Sequence, residues 1–263
     1  MAIRTEIQSM APRTFQPDQE WIRDVLPEGV PTGESTVVSG PGGSGKPLIG
    51  FSIVDSWLAA GGSVVILLTN SGTEFVVETM AELYGTDLAA VDDRIAWVDF
   101  DPAMEPAVEA IETVSAREVR GNLLEPAVWR ETLDRSTAAV PGDSPGTLVF
   151  GSALNLFLFS PTYGDRMLEE FVDVVAADSP VTSLFTVSTS AFEDRIARVE
   201  EAADTLLLTS MAEGRLRLRG VRSDSVAVST DEVDVPFTES QLQQIKSVAE
   251  ATRDSIIPTI KNV

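Results

Sequence analysis

The residues best able to do chemistry lie in one glycine-rich run between an apolar segment and a helical one, Gly40-Pro41-Gly42-Gly43-Ser44-Gly45-Lys46. Two glycines with four residues between them and then a lysine form the spacing of a phosphate-binding P-loop. Glycines let successive backbone N–H groups turn inward around a phosphate, and a helix that follows adds its positive N-terminal end. The lysine supplies a compact charge for the outer phosphates. The run therefore predicts a site for the phosphates of a nucleotide.

Pro47 departs from this pattern, because a P-loop has Ser or Thr there and uses its hydroxyl to hold Mg²⁺. Proline suits the first position of a helix, so the turn is compatible with it. It brings no hydroxyl, however, and it lacks a backbone N–H that would face a phosphate. We expect the loop, from Gly40 through Pro47 to Leu48, to bind nucleotide weakly; a glycine-rich turn that binds nothing is the alternative.

The composition excludes several classes of catalyst. The 263 residues include no Cys and no His, so thiol catalysis, a histidine base, disulfides and an ordinary zinc site are excluded. The net charge is −22, and lysine occurs only at Lys46, Lys246 and Lys261. Such a surface is typical of proteins that work in concentrated salt, with an ordinary acidic protein as the alternative. The charge also argues against a nucleic-acid partner.

The sequence shows no sign of a leader or a membrane anchor. Its first residues lack the apolar core of a secretory signal. The longest apolar stretch, Leu148 to Phe159, is too short to cross a bilayer. We expect a cytoplasmic protein with no membrane partner.

Apolar runs of strand length alternate with helical segments through most of the chain. Strands are predicted at residues 35–39, 63–68, 95–100, 147–150 and 181–187, and helices at 18–26, 47–60, 72–84, 165–177, 193–203 and 238–253. Two helices are expected within 101–140 and a buried helix at 151–159. Three short strands, at 205–209, 215–221 and 226–229, are expected to lie antiparallel at one edge. The pattern predicts an α/β fold with a mostly parallel sheet covered by helices on both faces.

The chain is expected to divide into three segments, a lead-in at residues 1–33, a P-loop domain at 34–237 and a C-terminal helix with its tail at 238–263. Thr238 and Gln241 have the spacing of a capping box at the start of that helix. We expect the helix to dock on its own domain rather than on a partner.

In order and spacing the chain resembles the RecA-like ATPases, and most closely their KaiC/RadA-type branch. The resemblance runs from about Val25 to Phe237 and rests on the P-loop and on residues 26–33, 62–68, 78–88, 94–99 and 215–222. It implies a RecA-like three-layer sandwich and ATP or another nucleoside triphosphate as ligand. It also implies assembly, as a homo-oligomer or as a hetero-oligomer with RecA-like proteins.

The resemblance also shows what this chain lacks. The family's metal-binding Asp, at the end of the third core strand, falls on Gly151, and its catalytic carboxylate pair falls on Thr69 and Asn70. With Pro47, the groups that hold Mg²⁺ and activate water are lost at three separate points. We therefore expect no catalytic residue, no metal site, no requirement for Mg²⁺ and little or no hydrolysis.

Four polar residues are candidates for secondary contacts with the nucleotide. Asn70 follows the second strand, and Ser152 and Asn155 follow the third, near the expected position of the loop. Arg222 matches the Arg of the Lys-x-Arg motif that reaches the neighbouring subunit's nucleotide in KaiC-like rings, although Gly220 takes the place of the Lys.

The favoured interpretation is a degenerate P-loop protein that binds nucleotide weakly, hydrolyses it little or not at all and acts in regulation or assembly. A diverged ATPase with unconventional ligands is one alternative, and Glu74, Asp99 and Asp101 are its candidate carboxylates. An accessory protein of DNA recombination or repair is the other, supported only by the arginines of residues 215–222.

Overall fold

A computed structural model of the protein describes residues 13–69 and 72–263. The helices are α1 (Glu20–Val25), α2 (Lys46–Ala59), α3 (Thr73–Tyr84), α4 (Pro126–Ala138), α5 (Gly164–Ala176), α6 (Glu193–Ala202) and α7 (Glu239–Lys261). The strands are β1 (Thr14–Phe15), β2 (Val30–Pro31), β3 (Ser35–Gly40), β4 (Ser63–Leu68), β5 (Ile95–Phe100), β6 (Glu112–Ser115), β7 (Glu118–Gly121), β8 (Thr147–Ser152), β9 (Thr182–Ser188), β10 (Thr205–Ala212), β11 (Arg215–Ser223) and β12 (Val233–Asp234). Short 3-10 helices lie at Leu88–Arg94, Val108–Ala110 and Leu154–Phe159.

Ten strands form one sheet in the order β12-β11-β10-β3-β9-β8-β4-β5-β7-β6. The seven strands from β10 to β7 in this order run parallel to one another. β11 and β12 are antiparallel at one edge and β6 at the other. The predicted α/β fold, with its mostly parallel sheet and its antiparallel strands near the C-terminus, is confirmed.

The centre of the sheet positions the P-loop. Every residue of β3 is buried, and the strand leads directly into the loop and then into α2. α2 is apolar around most of its circumference because it lies between the sheet and an outer layer. Gly50 lets the helix approach β8 closely, since a Cβ there would lie 2.1 Å from Cε2 of Phe150. The loop is thus held between a buried strand and a tightly packed helix.

Two hydrophobic clusters fill the layers on opposite faces of the sheet. One cluster contains Trp57 of α2 together with Phe150, and the other contains Trp129, Phe171 and Phe185. A buried aromatic side chain of this size contributes several kcal/mol, typically about 3–5 when it is truncated to Ala. Both clusters therefore stabilise the central strands, and the loop follows the C-terminal end of one of them.

The prediction for residues 101–140 is wrong in its first half. Instead of two helices, the structure has the hairpin β6–β7 followed by the single helix α4. β7 pairs with β5 and buries Val119, so pairing with an open sheet edge gives this segment its conformation.

Two further predictions are corrected. Residues 226–229 form no strand: the carbonyl of Ser229 accepts from the N–H of Gly220 in β11 at 2.7 Å, but its N–H donates to the carbonyl of Val25 at 2.9 Å. The segment after β8 is a 3-10 helix rather than an α-helix, because the strand continues to Ser152 and Ala153 has a left-handed backbone with φ 58°.

α7 begins with the predicted capping box of Thr238 and Gln241 and continues eight residues beyond the predicted end at 253, to Lys261. It packs on its own domain through Leu242, Ile245 and Ile260, which are all buried. No helix in the described part of the chain is long and apolar enough to cross a bilayer. The boundaries at residues 33 and 237 stay a prediction.

Candidate functional site

The glycine-rich run forms a turn in which two glycines have a left-handed backbone. Gly43 and Gly45 have φ of 72° and 79°, a conformation that side chains disfavour. Gly45 is the N-cap of α2, and the N–H of Leu48 donates to its carbonyl at 2.9 Å. Pro47 lies in the first turn of the helix, as its fixed φ permits. The substitution therefore leaves the turn intact.

The loop contains unpaired backbone donors at the N-terminus of α2, where Ser44 and Gly45 are buried. The N–H groups of Gly43, Ser44 and Gly45 have no hydrogen-bond partner among the described residues. The N–H of Gly42 donates to Oγ of Ser190 at 2.7 Å, which ties the loop to the segment after β9. Three unpaired donors next to the positive end of a 14-residue helix form a site with anion-binding character.

Lys46 is buried, with 5% of its surface exposed. Its ammonium donates to the carbonyls of Gly40 at 2.9 Å and Pro41 at 2.6 Å, and lies 3.3 Å from Oγ of Ser44. Burial lowers the pKa of Lys46 to about 8, because desolvation penalises the charged form. No carboxylate among the described residues pairs with Lys46, and a phosphate would give this buried cation a negative partner.

Ser152, and not Gly151, is the β8 residue that faces the loop. Ser152 lines a cavity of about 90 Å³ together with the P-loop, whereas a Cβ on Gly151 would lie 3.0 Å from side-chain atoms of Leu67 and Phe185 on the other face of the sheet. Gly151, on which the family's metal-binding Asp falls in the sequence comparison, therefore faces away from the loop, since adjacent residues of a strand face opposite sides. The residue of β8 that does face the loop, Ser152, carries a neutral hydroxyl and no carboxylate.

The end of β4 is linked to the same region. The hydroxyl of Thr69 donates to the carbonyl of Ser152. Asn70, the second residue of the predicted carboxylate-pair position, lies outside the described residues. Thr69 thus joins the ends of two neighbouring strands rather than serving as a base.

Asn155 lies in a second cavity of about 300 Å³ that adjoins the first. Its Oδ1 accepts from the N–H of Ser188 at 3.3 Å. The cavity is also lined by Gly42, Gly43 and Phe159. Ser152 and Asn155 thus both line cavities beside the P-loop, and their contact with a nucleotide stays a prediction.

The other candidates lie elsewhere. Arg222 donates to the carbonyls of Glu200 and Glu201 at 2.8 and 2.7 Å, so it caps the C-terminal end of α6 in its own chain. Asp99 pairs with Arg120 at 2.8 Å, and Oδ1 of Asp101 accepts from a backbone N–H two residues on. Glu74 is exposed in the first turn of α3.

α7 was missed as part of the site. A Cβ on Gly45 would lie 2.5 Å from Cδ2 of Leu242, and Ile245 and Lys246 line the 90 Å³ cavity. The apolar stripe of the helix was visible in the sequence. Nothing local showed that it covers the loop, because a stripe identifies a buried face and not its partner.

The sequence matches no known protein family profile and no curated protein. Among solved structures, a KaiC-like protein of the hyperthermophilic archaeon Pyrococcus horikoshii OT3 superposes with a TM-score of 0.65, over 87% of this chain and 96% of that chain. The two sequences are 13% identical, so the likeness shows the fold alone. The predicted RecA-like arrangement is confirmed as a fold.

Proposed function

We propose that this chain is a P-loop protein that holds the phosphates of a nucleotide without hydrolysing them, and that it acts in regulation or assembly. The observation that carries the proposal is the contrast within one site. The phosphate-binding half is intact, with three open N–H donors and the buried Lys46. Beside it, Pro47 offers no hydroxyl and Ser152 no carboxylate, the two groups that a P-loop site would use to hold Mg²⁺.

Phosphate fits the residues that are present. The open donors and the α2 N-terminus suit an anion, and Lys46 already lies against the loop, so it needs little reorganisation. Mg²⁺ does not fit, because no carboxylate lines the 90 Å³ cavity among the described residues. Phosphoryl transfer depends on metal and cation charge at the transferred group, so binding without turnover is the activity these residues support.

The two alternatives gain no specific support. The carboxylates proposed for a diverged ATPase pair with an arginine, cap a turn or point to solvent. Two arginines of β11 that would contact DNA, Arg215 and Arg217, pair with Asp234 at 3.0 Å. Assembly with itself or with RecA-like proteins, and a salt-rich cytoplasm, belong to the same proposal and are supported by the RecA-like fold and the charge of −22.

We expect Lys46→Ala to weaken ATP or ADP binding by about a hundredfold, because it removes a cation from the phosphate site. Ser44→Ala, which removes a neutral hydroxyl from the same loop, should cost less than about tenfold. Calorimetry in concentrated KCl measures both, with and without a chelator. Phosphate release should remain at background in the wild-type protein, and a turnover that Lys46→Ala abolishes would refute the proposal.

Binding should also depend on pH. Lys46 is charged below its pKa of about 8 and neutral above it, and an anion binds the charged form. Affinity should therefore be constant below pH 8 and fall by up to about tenfold for each pH unit above it. Calorimetry from pH 7 to pH 10 tests this, with Lys46→Arg as control, because arginine stays charged throughout and should give a flat profile.

A further inference from the structure

Lys246 of α7 lies directly on the P-loop. A Cβ placed on Gly43 would be 3.4 Å from both Cδ and Cε of Lys246, so the lysine side chain lies beside the open face of this glycine. Lys246 lines both the 90 Å³ cavity beside Lys46 and the adjoining 300 Å³ cavity. It is thus the residue of α7 that borders both parts of the site.

The position of Lys246 is fixed by its neighbours on the helix. Leu242 and Ile245 are each 5% exposed and pack beside the loop, and Ile260 is fully buried at the far end of α7. The side chain of Lys246 remains 43% exposed, and its ammonium lies 3.9 Å from Oε1 of Glu250 one turn later. Such an exposed pair one helical turn apart is weak, so an anion competes with it easily.

The distribution of lysine points to the same site. The chain carries 41 acidic residues and three lysines, and two of those lysines, Lys46 and Lys246, line the P-loop cavity. In a protein that otherwise uses arginine for its positive charges, two lysines at one phosphate loop place compact charges where multiply charged oxygens would lie. An ordinary role on the protein surface would not require two of the three lysines to lie at one loop.

We infer that Lys246 is a second phosphate-binding cation, which neutralises a chain of two or three phosphates in place of a metal ion. The inference rests on the proposed function, since it concerns the same anion. The ligand class is a metal-free pyrophosphate or triphosphate group, carried by a nucleotide or present as an inorganic polyphosphate. In the nucleotide case, the nucleoside would lie in the 300 Å³ cavity beside Asn155 and Phe159.

The test is calorimetry of the full chain in concentrated KCl with a chelator, using tripolyphosphate in one arm and ADP in the other. Lys246→Gln should weaken both by about tenfold, and Lys246→Arg should stay within about threefold of the wild type. Glu250→Gln should strengthen binding by about twofold to threefold, because it frees Lys246 and removes a repelling charge. Lys261→Gln is the matched control for tripolyphosphate, since it removes the same charge from the same helix and should change nothing.

A metal readout separates this role from a purely structural one. Added Mg²⁺ should improve tripolyphosphate binding to Lys246→Gln and not to the wild type, because the metal then supplies the missing charge.

The two ligands identify what the site binds. If ADP binds more tightly than tripolyphosphate the ligand is a nucleotide, and if it does not the ligand is inorganic. In either case, weaker binding of the ligand by Lys246→Gln supports the second cation. Equal affinity of Lys246→Gln and Lys261→Gln, or tighter binding by Lys246→Gln, overturns the inference alone. Failure of the wild type to bind, or unchanged binding in Lys46→Ala, overturns the proposed function and this inference together.

Discussion

The double variant Pro47→Thr/Ser152→Asp is expected to bind ATP about a hundredfold more tightly with Mg²⁺ than with a chelator, whereas the wild type should make little distinction. Thr at position 47 returns a backbone N–H and a hydroxyl to the first turn of α2. Asp at position 152 places a carboxylate on the strand residue that faces the loop. Each contact to a charged partner contributes roughly 1.5–3 kcal/mol, so two of them suffice for the expected ratio.

The register of β8 supplies the matched control for this experiment. Pro47→Thr/Gly151→Asp carries the same two chemical groups but directs the carboxylate toward Leu67 and Phe185. We expect no Mg²⁺ effect from it. The single variants should each give less than half of the effect on the free energy, because the two ligands share one ion. If Pro47→Thr/Ser152→Asp folds and its affinity for ATP is the same with and without Mg²⁺, Ser152 does not stand at the metal position.

Hydrolysis should not return in the double variant. In the RecA-like ATPases that the sequence resembles, a water-activating carboxylate stands where this chain has Thr69 and Asn70, and Thr69 donates its hydroxyl to the carbonyl of Ser152. A metal can neutralise charge, but no carboxylate among the described residues that line the 90 Å³ cavity could act as the base for an attacking water.

The central strands and the loop were predictable because their causes are local. A strand buried on both faces reads as a continuous apolar run, and Ser63–Leu68 and Ile95–Phe100 have the bounds that the sequence predicts. The glycines of the loop were equally informative, since Gly43 and Gly45 take the positive φ that only glycine adopts freely.

The register of β8 was not predictable to one residue. Gly151 and Ser152 are adjacent, neither is acidic, and the pleat alone decides which of them faces the loop. Pairing with β4 and β9 fixes that pleat, and those contacts come from distant parts of the chain. A resemblance in the order and spacing of segments therefore predicted the strand but not which of its residues face the loop.

The place of α7 depends on still longer-range packing. Its capping box and its stripe of Leu242 and Ile245 identify a helix with one buried face. That the face covers the P-loop follows from the shape of the finished domain. The hairpin of β6 and β7 was missed for the same reason, because its conformation comes from pairing with the edge of β5.

The variant Gly151→Asp alone is expected to lower the free energy of unfolding by about 3 kcal/mol or more. Its Cβ would lie 3.0 Å from Cδ1 of Leu67 and of Phe185 and 3.1 Å from Cδ1 of Leu154, so the apolar layer must move even before the carboxylate is added. The carboxylate would then be buried among aliphatic and aromatic side chains without a partner, which is costly unless it takes up a proton. Urea unfolding at a fixed KCl concentration measures the loss.

Two comparison variants separate the parts of this cost. Gly151→Ala adds only the Cβ and should cost about 1–3 kcal/mol by overpacking. Ser152→Asp puts the same carboxylate one residue later, in the cavity that Lys46 and Lys246 line, and should cost less than Gly151→Asp. We therefore expect Ser152→Asp to be more stable than Gly151→Asp, although glycine is the smaller residue to replace. The reverse order would mean that the face of β8 is opposite to the one described, and the expected Mg²⁺ effect would then move to Gly151→Asp.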